Sequence, residues 1–418
     1  MFHFSTLFGG YRSTCALLLA LALVPCPGFA GNSEKVLYLF RGGNDGAGPG
    51  AGLTLDGSGK LYGTTLGGGD PDCAEGRGQG CGVIFRVKEH GEESVLYAFV
   101  GGDNDGAFPD GGLIADGAGN YYGVAGGGGP NDAGTVYKLT PDGTESIVYA
   151  FKGGSDGRGP IGDLAMDKSG DLYGTANQGG DFACDVVSGC GTVFEITPGG
   201  VLTVLHAFHG GNDGEGPPSG LIADSSGDLY GTTGVGGNGV GCGSLGCGTV
   251  FKIASDGTET ILHAFQADGS DGTFPWSGLI LDGAGNLYGT TANGGTCSYT
   301  GGGCGTVFEI APDGTETVLY SFRSGNDGDF PEAGVVIDST GNLYGTTFAG
   351  GGVGCKRSQG CGTAFKLAPN GTETVLYAFD PHHGARPVAP LLLVGTKLYG
   401  TTNSGGSFHN GVVFDLRK

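Results

Sequence analysis

Asn286-Leu287-Tyr288-Gly289-Thr290-Thr291 is the clearest copy of a phrase that occurs seven times along the chain. The central tyrosines of the seven copies are Tyr62, Tyr122, Tyr173, Tyr230, Tyr288, Tyr344 and Tyr399. Successive copies are 60, 51, 57, 58, 56 and 55 residues apart. Self-similarity at such a period indicates a repeat architecture, so a chain of 418 residues does not have to be divided into several domains.

Two further phrases recur with the same count. The phrase Gly-Thr-Val-Phe ends at Phe85, Tyr137, Phe194, Phe251, Phe308, Phe365 and Phe414. The phrase Val-Leu-Tyr-Ala-Phe ends at Phe40, Phe99, Phe151, Phe208, Phe265, Phe322 and Phe379. With an apolar run such as residues 278–282, each unit holds four short segments rich in β-branched and aromatic residues, bounded by Gly, Asp or Pro. The pattern predicts an all-β fold, a single seven-bladed β-propeller of four-stranded antiparallel blades.

The two chain ends are complementary. Residues 34–40 form a lone fourth-strand phrase before any complete repeat, and residues 411–416 form a third-strand phrase with no fourth strand after it. We therefore expect the N-terminal strand to complete the last blade, which removes the exposed strand edges of an open array.

Residues 1–30 have the pattern of a signal peptide. Arg12 precedes an apolar stretch over residues 15–24, and Gly28 and Ala30 place small residues at the expected cleavage site. The sequence thus predicts a signal peptide over 1–30, cleavage after Ala30 and a propeller over 31–418, in an extracytoplasmic protein that is secreted or periplasmic. No later segment approaches the roughly 18 apolar residues of a membrane-spanning helix, and we expect no membrane span.

Charge and composition limit the function. The chain carries 20 Lys and Arg against 42 Asp and Glu, a formal net charge of −22. That charge repels phosphate backbones and anionic lipid headgroups, so no nucleic-acid partner is expected. The 95 glycines lack collagen spacing, and 38% of the residues are hydrophobic, enough to bury a core.

The three phrases together resemble the GloVer tandem-repeat family of bacterial exported proteins, over residues 36 to 416. The resemblance implies an exported, propeller-like repeat protein, and the family brings no settled activity. Members often carry a C-terminal sorting or anchoring module. This sequence ends at Lys418, directly after its last predicted strand, so the resemblance does not extend to surface anchoring.

Ten cysteines beyond the predicted signal peptide form five local pairs between the second and third strand phrases. They are Cys73/Cys81, Cys184/Cys190, Cys242/Cys247, Cys297/Cys304 and Cys355/Cys361. Blades two and seven have short loops there and lack both members. Joint presence and absence favours disulfides across the loops of an exported protein, and a four-ligand metal site is disfavoured because whole blades separate the pairs. In an up-and-down blade these loops and the blade connections share one face, which we call the disulfide face and predict to carry ligand binding.

The recurrent acid of Gly-Gly-Asn-Asp-Gly and its variants admits two interpretations. The acids are Asp45, Asp105, Asp156, Asp213, Asp271 and Asp327. Calcium would need six to eight oxygens, whereas each loop supplies one or two carboxylates, so capping of the local turn is the favoured interpretation.

Three further side chains depart from the repeat. Trp276 is the only tryptophan and stands just after Pro275, so it is a candidate for stacking on a sugar or for burial at a blade junction. His382 and His383 replace the Asp-Gly connection of blade seven and are a second candidate for ligand binding. By contrast, His206 and His263 occupy the place of a fourth-strand tyrosine, which indicates a scaffold role.

No nucleophile motif or phosphate loop is present, so we predict no catalytic residue, no metal centre and no cofactor. The leading hypothesis is a non-catalytic propeller that binds a protein or polysaccharide through the disulfide face. One alternative is a secreted carbohydrate-active hydrolase or lyase, because a propeller can bring carboxylates of different blades together; a second is a structural cell-envelope protein. The acids in non-repeated loops that we considered for the enzyme are Asp70, Asp72, Glu75, Asp181 and Asp185. The sequence does not indicate an oligomeric state.

Overall fold

The structure is a computed structural model that describes residues 34–76, 78–182, 184, 188–237, 239–297, 302–352, 354–355 and 360–418. Seven small antiparallel sheets are arranged as the blades of one β-propeller. Each blade has the strand order predicted from the repeats. The predicted signal peptide and its cleavage site lie outside the described residues.

The strands of each blade run in order from its inner to its outer edge. Blades one and two comprise Thr54–Leu55, Leu61–Thr65, Val83–Val87 and Glu93–Ala98, then Ile114–Ala115 with Gly106–Pro109, Tyr121–Gly128, Thr135–Leu139 and Glu145–Ala150. Blades three and four comprise Arg158–Met166, Leu172–Gln178, Thr192–Ile196 and Leu202–Ala207, then Ile222–Ala223, Leu229–Thr233, Thr249–Ile253 and Glu259–Ala264. Blades five and six comprise Ile280–Leu281, Leu287–Thr291, Thr306–Ile310 and Glu316–Ser321, then Val336–Ile337, Leu343–Thr347, Thr363–Leu367 and Glu373–Ala378. Blade seven comprises Leu392–Val394, Lys397–Thr402, Val412–Arg417 and the N-terminal strand Lys35–Leu39.

Two kinds of short element lie outside the blade pattern. Gly272–Thr273 pairs with Asn293–Gly294 beside blade five. Short 3-10 helices occur at Gly43–Asp45, Gly211–Asp213 and Gly243–Leu245.

The glycine of the Leu-Tyr-Gly-Thr-Thr phrase is required by an aromatic ring of the next strand. A Cβ atom added to Gly289 would lie 2.6 Å from the tip of the Phe308 ring, and one added to Gly63 would lie 2.7 Å from the ring of Phe85. Contacts that short do not occur between real atoms, so a side chain here would displace the ring from the blade core. Phe308 in turn makes an edge-to-face contact with Phe265 of the neighbouring blade, at a centroid distance of 5.1 Å.

The predicted turns between the first and second strands are held by their aspartates. In blade five, Asp282 accepts hydrogen bonds from the backbone N–H groups of Ala284 and Asn286, at 2.8 and 2.9 Å. Its other oxygen accepts the Tyr288 hydroxyl at 3.2 Å. In the equivalent turn of blade one, burial opposes ionisation, yet hydrogen bonds from Lys60 and Ser58 lower the pKa of Asp56 to about 2.

The N-terminal strand closes the ring, as the sequence predicts. Lys35–Leu39 pairs antiparallel with Val412–Arg417, with Val36 opposite Phe414 and Leu39 opposite Val412. The backbone N–H of Phe40 then donates to the carbonyl of Gly411 at 3.1 Å. Phe40 is almost fully buried in a core that includes Phe85 of blade one. The first strand of the chain therefore completes the last blade, and Phe40, which follows it, packs against the first blade.

Neighbouring blades are fastened by one hydrogen bond that recurs at every junction. In each blade a proline stands near the start of the inner strand. The residue before this proline donates its backbone N–H to a carbonyl group of the preceding blade. That carbonyl belongs to the residue that ends the loop between the second and third strands. The seven bonds, between 2.8 and 3.1 Å long, are Gly48 to Asn410, Phe108 to Cys81, Gly159 to Ala133, Gly216 to Cys190, Phe274 to Cys247, Phe330 to Cys304 and Arg386 to Cys361. The next residue, always proline, packs on a glycine of the preceding blade, and a Cβ on Gly82 would lie 2.7 Å from Pro109.

The recurrent connection aspartates cap their loops. In the connection into blade four, Asp213 accepts the backbone N–H of His209 at 2.6 Å, and in the connection into blade six Asp327 accepts that of Arg323 at 2.7 Å. Each also receives the fourth-strand tyrosine or the histidine in its place; the Tyr320 hydroxyl lies 2.6 Å from Asp327. This geometry is the capping role expected from the sequence, and His206 and His263 make the corresponding contacts.

A glutamate of the following blade completes six of these junctions. One carboxylate oxygen of each is buried without a hydrogen-bond partner; the residues are Glu34, Glu93, Glu145, Glu259, Glu316 and Glu373. Burial, reinforced by the negative charge of the neighbouring aspartate, raises the pKa of Glu145 to about 8. The pKa of Glu316 is raised to about 7 for the same two reasons. Blade three has Leu202 at this position, so the carboxyl group is not required for the strand itself.

Ring closure can be tested with a single buried ring. Phe40→Ala removes the aromatic contact between the terminal strand and blade one, and we expect it to lower the free energy of unfolding by about 3–5 kcal/mol. Phe182→Ala, at a partly exposed phenylalanine of a loop, is the control and should change it by no more than about 0.5 kcal/mol. Deleting residues 31–40 should have a larger effect, measured by thermal melting. A shortened protein that melts like the full one would show that the ring does not depend on this strand.

The buried glutamates predict an unusual pH dependence. A carboxyl group whose pKa is raised on folding binds its proton more tightly in the native state, so its contribution to stability is complete below about pH 4.5 and is lost as the pH rises through 7 to 8. We expect the melting temperature to fall between pH 5 and pH 8. Glu145→Gln should reduce that fall, whereas Glu92→Gln, at an exposed glutamate, should leave it unchanged. Equal pH profiles for Glu145→Gln and the parent protein would contradict the assignment.

Candidate functional site

The seven inner strands surround a central channel. Their residues, together with parts of the disulfide face, line a cavity of about 1040 Å³. This volume lies at the upper end of the range for small-molecule sites. Because each inner strand begins near its proline on the disulfide face, the residues next to the prolines form one mouth of the channel. The channel is the part of the molecule where all seven blades meet.

The sevenfold pattern is broken at the channel wall. The residue directly after the inner-strand proline is Gly50, Asp110, Ile161, Pro218, Trp276, Glu332 or Val388, in blade order. Two positions further on, the residues are Gly52, Gly112, Asp163, Gly220, Gly278, Gly334 and Pro390. All fourteen line the same cavity. The repeat therefore varies at positions that line the channel.

Asp163 reaches from blade three towards the two preceding blades. Its Oδ1 atom accepts the backbone N–H of Gly112 at 2.6 Å, and a Cβ atom added to Gly52 would lie 3.8 Å from its Oδ2 atom. The side chain is exposed to the channel, but protein surrounds the channel on all sides. This burial raises the pKa of Asp163, and the hydrogen bond from Gly112 opposes the rise.

Two further acids line the channel. Burial raises the pKa of Asp110, and it raises the pKa of Glu332 to about 7 against the opposing charge of Arg386. A carboxyl group that is partly protonated at neutral pH can donate a hydrogen bond as well as accept one. The channel wall can therefore offer both donors and acceptors to a ligand.

Trp276 lies at the mouth of the channel. Its side chain is 47% exposed, and one edge packs against blade four, where a Cβ atom added to Gly234 would lie 3.5 Å from the indole Nε1. Glu215, Asn177 and Leu66 line the same mouth. The mouth thus combines the apolar surfaces of the indole and Leu66 with the polar side chains of Glu215 and Asn177.

The other candidates from the sequence lie elsewhere. His382 and His383 are exposed, and Asp380 accepts their backbone N–H groups at 2.8 and 3.1 Å. The Asp380 side chain is also 2.7 Å from Nδ1 of His383 and raises the pKa of that imidazole. Neither histidine lines the channel, so the structure does not bring them together with Trp276.

The loop acids considered for an enzyme serve local structure. Asp70 accepts the backbone N–H of Asp72 at 2.8 Å, and Glu75 accepts that of Gly102 at 2.9 Å. Asp181 lies 3.3 Å from Nε2 of His209. Asp185 lies outside the described residues. None of the described members of this set lines the channel.

Sequence reasoning missed Asp110, Asp163 and Glu332. They lie in or next to the short apolar segment that each repeat contributes as its first strand, and this segment was treated as the same in all seven repeats. Comparing the seven repeats position by position would have found them, because an acid replaces a glycine or an apolar residue at a fixed distance from the proline. The acids singled out from the sequence were instead the recurrent ones and those in long loops.

The five predicted disulfides are present. The Cα atoms of the pairs are 5.7, 5.8, 5.3, 5.7 and 5.2 Å apart in chain order. The second cysteine of each pair is fully buried, and its carbonyl accepts the hydrogen bond from the next blade. Ala133 and Asn410 take this place in blades two and seven. Each disulfide therefore ties a long loop to the residue that holds two blades together.

Comparison with known proteins agrees with this architecture. Residues 28–187 and 184–414 match the family model described as the Gloeobacter/Verrucomicrobia repeat. The chain belongs to this repeat family. No curated protein matches the chain in sequence.

Solved structures similar to this Gloeobacter/Verrucomicrobia repeat protein share little sequence with it. The extracellular domain of a putative one-component system from B. thetaiotaomicron has a TM-score of 0.53 and 11% identity, over 91% of this chain and 39% of that chain. A luciferin-regenerating enzyme has a TM-score of 0.45 and 14% identity, over 74% of this chain and 91% of that one. A protein described as a gluconolactonase has a TM-score of 0.38 and 16% identity, over 68% and 81%. At such identities the first of these similarities concerns the fold alone.

The disulfides and the repeat family indicate an extracytoplasmic location. In the described part of the chain, no helix has the length and hydropathy to cross a membrane.

The disulfide pattern can be checked directly. Proteolysis of the protein without reduction, followed by mass spectrometry, should yield five cross-linked peptides, one for each local pair, and no free thiol beyond residue 30. Reduction of the same digest is the control and should convert the five cross-links into ten free cysteine thiols. Links between different loops, or ten titratable thiols in protein purified from an oxidising compartment, would contradict the pattern.

Proposed function

We propose that this exported propeller binds a polysaccharide at the channel mouth on its disulfide face, without acting on it. The observation that carries the proposal is the position of Trp276, an exposed indole at the mouth of a channel whose wall departs from the repeat. Sugar rings offer apolar C–H faces that stack on such a surface, and their hydroxyl groups pair with carboxylates and amides. Asp110, Glu332 and Asn177 supply those polar groups.

The charge of the site favours one class of glycan. The channel acids are part of a formal net charge of −22, which would repel an acidic polysaccharide. A neutral or amino-sugar glycan meets no such barrier. The concave mouth also suits the end of a chain better than the flat patch of a protein partner.

The single tryptophan makes binding directly measurable. Because Trp276 is the only tryptophan in the chain, a ligand at the mouth should shift or quench the tryptophan emission of the full-length, disulfide-bonded protein. Screening neutral, amino-sugar and acidic oligosaccharides by this signal should select the first two classes. Trp276→Ala, followed by calorimetry with the selected glycan, should weaken binding by about tenfold or more, equivalent to about 1.4 kcal/mol.

The matched control is Phe182→Ala, at a loop aromatic of comparable exposure that does not line the channel. It should leave the affinity unchanged. Glycan binding with no change in emission, or with equal affinity in Trp276→Ala, would place the site elsewhere. Capture of a protein and of no glycan would favour a protein partner.

The raised pKa of Glu332, about 7, supports a second candidate function, glycoside hydrolysis. A protonated carboxyl group at neutral pH is what a general acid requires, and Asp110 and Asp163 would supply the second carboxylate. Incubation with the selected glycan separates the two functions. An enzyme would release new reducing ends, and Glu332→Gln would abolish that release while binding persists; a binding protein would release none.

A further inference from the structure

The junction between blades three and four carries histidine at two positions of the repeat. At the fourth-strand position that is usually tyrosine it has His206, and at the position after the strand's phenylalanine it has His209. The residues equivalent to His209 at the other junctions are Arg41, Val100, Lys152, Gln266, Arg323 and Asp380. The chain thus has an imidazole at both positions only here, and the other junctions show which residues the scaffold accepts in their place.

The two imidazoles converge on the connection aspartate. Nε2 of His206 lies 3.1 Å from Oδ1 of Asp213, and Nδ1 of His209 lies 3.2 Å from its Oδ2. One donor atom from each of the three residues lies within 4.8 Å of the other two. Donor atoms at the corners of a tetrahedral zinc site are ~3.3 Å apart for bonds of about 2.0–2.1 Å. The two histidine–aspartate separations are already close to that spacing.

Two carboxylates flank the cluster. Oδ2 of Asp181 lies 3.3 Å from Nε2 of His209, the ring nitrogen that faces away from Asp213. A carboxylate on the remote nitrogen is the usual partner of a metal-bound histidine, because it fixes the ring and its tautomer. Glu259 of blade four also interacts with Asp213 and both histidines. One of its oxygens is buried without a hydrogen-bond partner.

We propose that His206, His209 and Asp213 bind one divalent metal ion of the zinc type, with Asp181 orienting the His209 ring. Two imidazoles and a carboxylate suit Zn²⁺ and its transition-metal neighbours, whereas Ca²⁺ requires oxygen ligands in larger number. A water molecule would supply the fourth ligand.

The site would act on the disulfide face. Cys184 packs over the backbone next to His209, since a Cβ atom added to Gly210 would lie 2.9 Å from the cysteine Cβ. Asp181 precedes this cysteine in the same loop. A metal ion at the cluster would therefore fix the Cys184–Cys190 loop to the connection into blade four, as a second link beside the disulfide.

The experiment uses the full-length, disulfide-bonded protein, freed of metal with a chelator and then titrated with ZnCl2. Calorimetry and native mass spectrometry should show one Zn²⁺ per chain and a higher melting temperature, and CaCl2 should produce neither. His206→Tyr and His209→Arg introduce the residues that other junctions carry, so the ring should fold, and each should abolish the binding. Asp181→Asn should weaken it by about 10- to 100-fold.

His263→Tyr is the matched control. It makes the same exchange at the next junction, where His263 contacts Asp271 and groups with Glu316 within 4.8 Å. That group has two carboxylates and one imidazole, because Gln266 stands in place of a second histidine. Zn²⁺ binding should be unchanged in this variant. The proposal is wrong if the parent protein takes up no Zn²⁺ below millimolar concentration, if uptake persists in both His206→Tyr and His209→Arg, or if His263→Tyr abolishes it. A melting curve of each variant without metal confirms that the variant is folded. If His206→Tyr does not fold, His209→Arg decides the outcome, because His209 is exposed.

Discussion

The ring depends on one backbone hydrogen bond that is repeated at all seven junctions. The residue before the inner-strand proline can donate to the preceding blade because its φ angle is positive, between 55° and 65° at every junction. Glycine adopts this conformation freely, but Phe108, Phe274, Phe330 and Arg386 adopt it at a cost of ~1–3 kcal/mol each. The adjacent proline has no N–H to satisfy and packs on a glycine, so the blades approach closely. Tight contact between blades, repeated around a closed circle, offsets the local strain.

Much of this fold could be predicted from the sequence because the repeat encodes it at several levels. The tyrosine, glycine and phenylalanine of the strand phrases mark the blade cores, and the cysteine pairs mark the loops. The complementary phrases at residues 34–40 and 411–416 indicate closure. All other third- and fourth-strand phrases pair within their own repeat, so these two have only each other as partners. These features follow from local rules that every blade repeats.

The candidate sites could not be predicted in the same way, because they depend on contacts between blades. Asp163 acquires its surroundings from Gly112 and Gly52, which are 51 and 111 residues earlier in the chain. In the sequence, His209 is one histidine on a loop and does not indicate a site. Its possible role is visible only in the structure, where Asp181 and Asp213 contact its two ring nitrogens. His206 reads as a scaffold substitution, and its contact with Asp213 does serve the scaffold. In a symmetric ring, function is found by asking where one blade differs from the other six.

Pairing of the first strand with the last blade also has a consequence for the order of folding. Lys35–Leu39 is among the earliest segments to be synthesised, but its partner Val412–Arg417 comes some 375 residues later, as the register of Lys35 opposite Asp415 and Leu39 opposite Val412 requires. The edge of the N-terminal strand must therefore stay unpaired until nearly the whole chain has been synthesised. Closure into a smaller ring is prevented because the third strand of every earlier blade already pairs with a fourth strand of its own. A chain built in this way closes its ring only after its last strand has been synthesised.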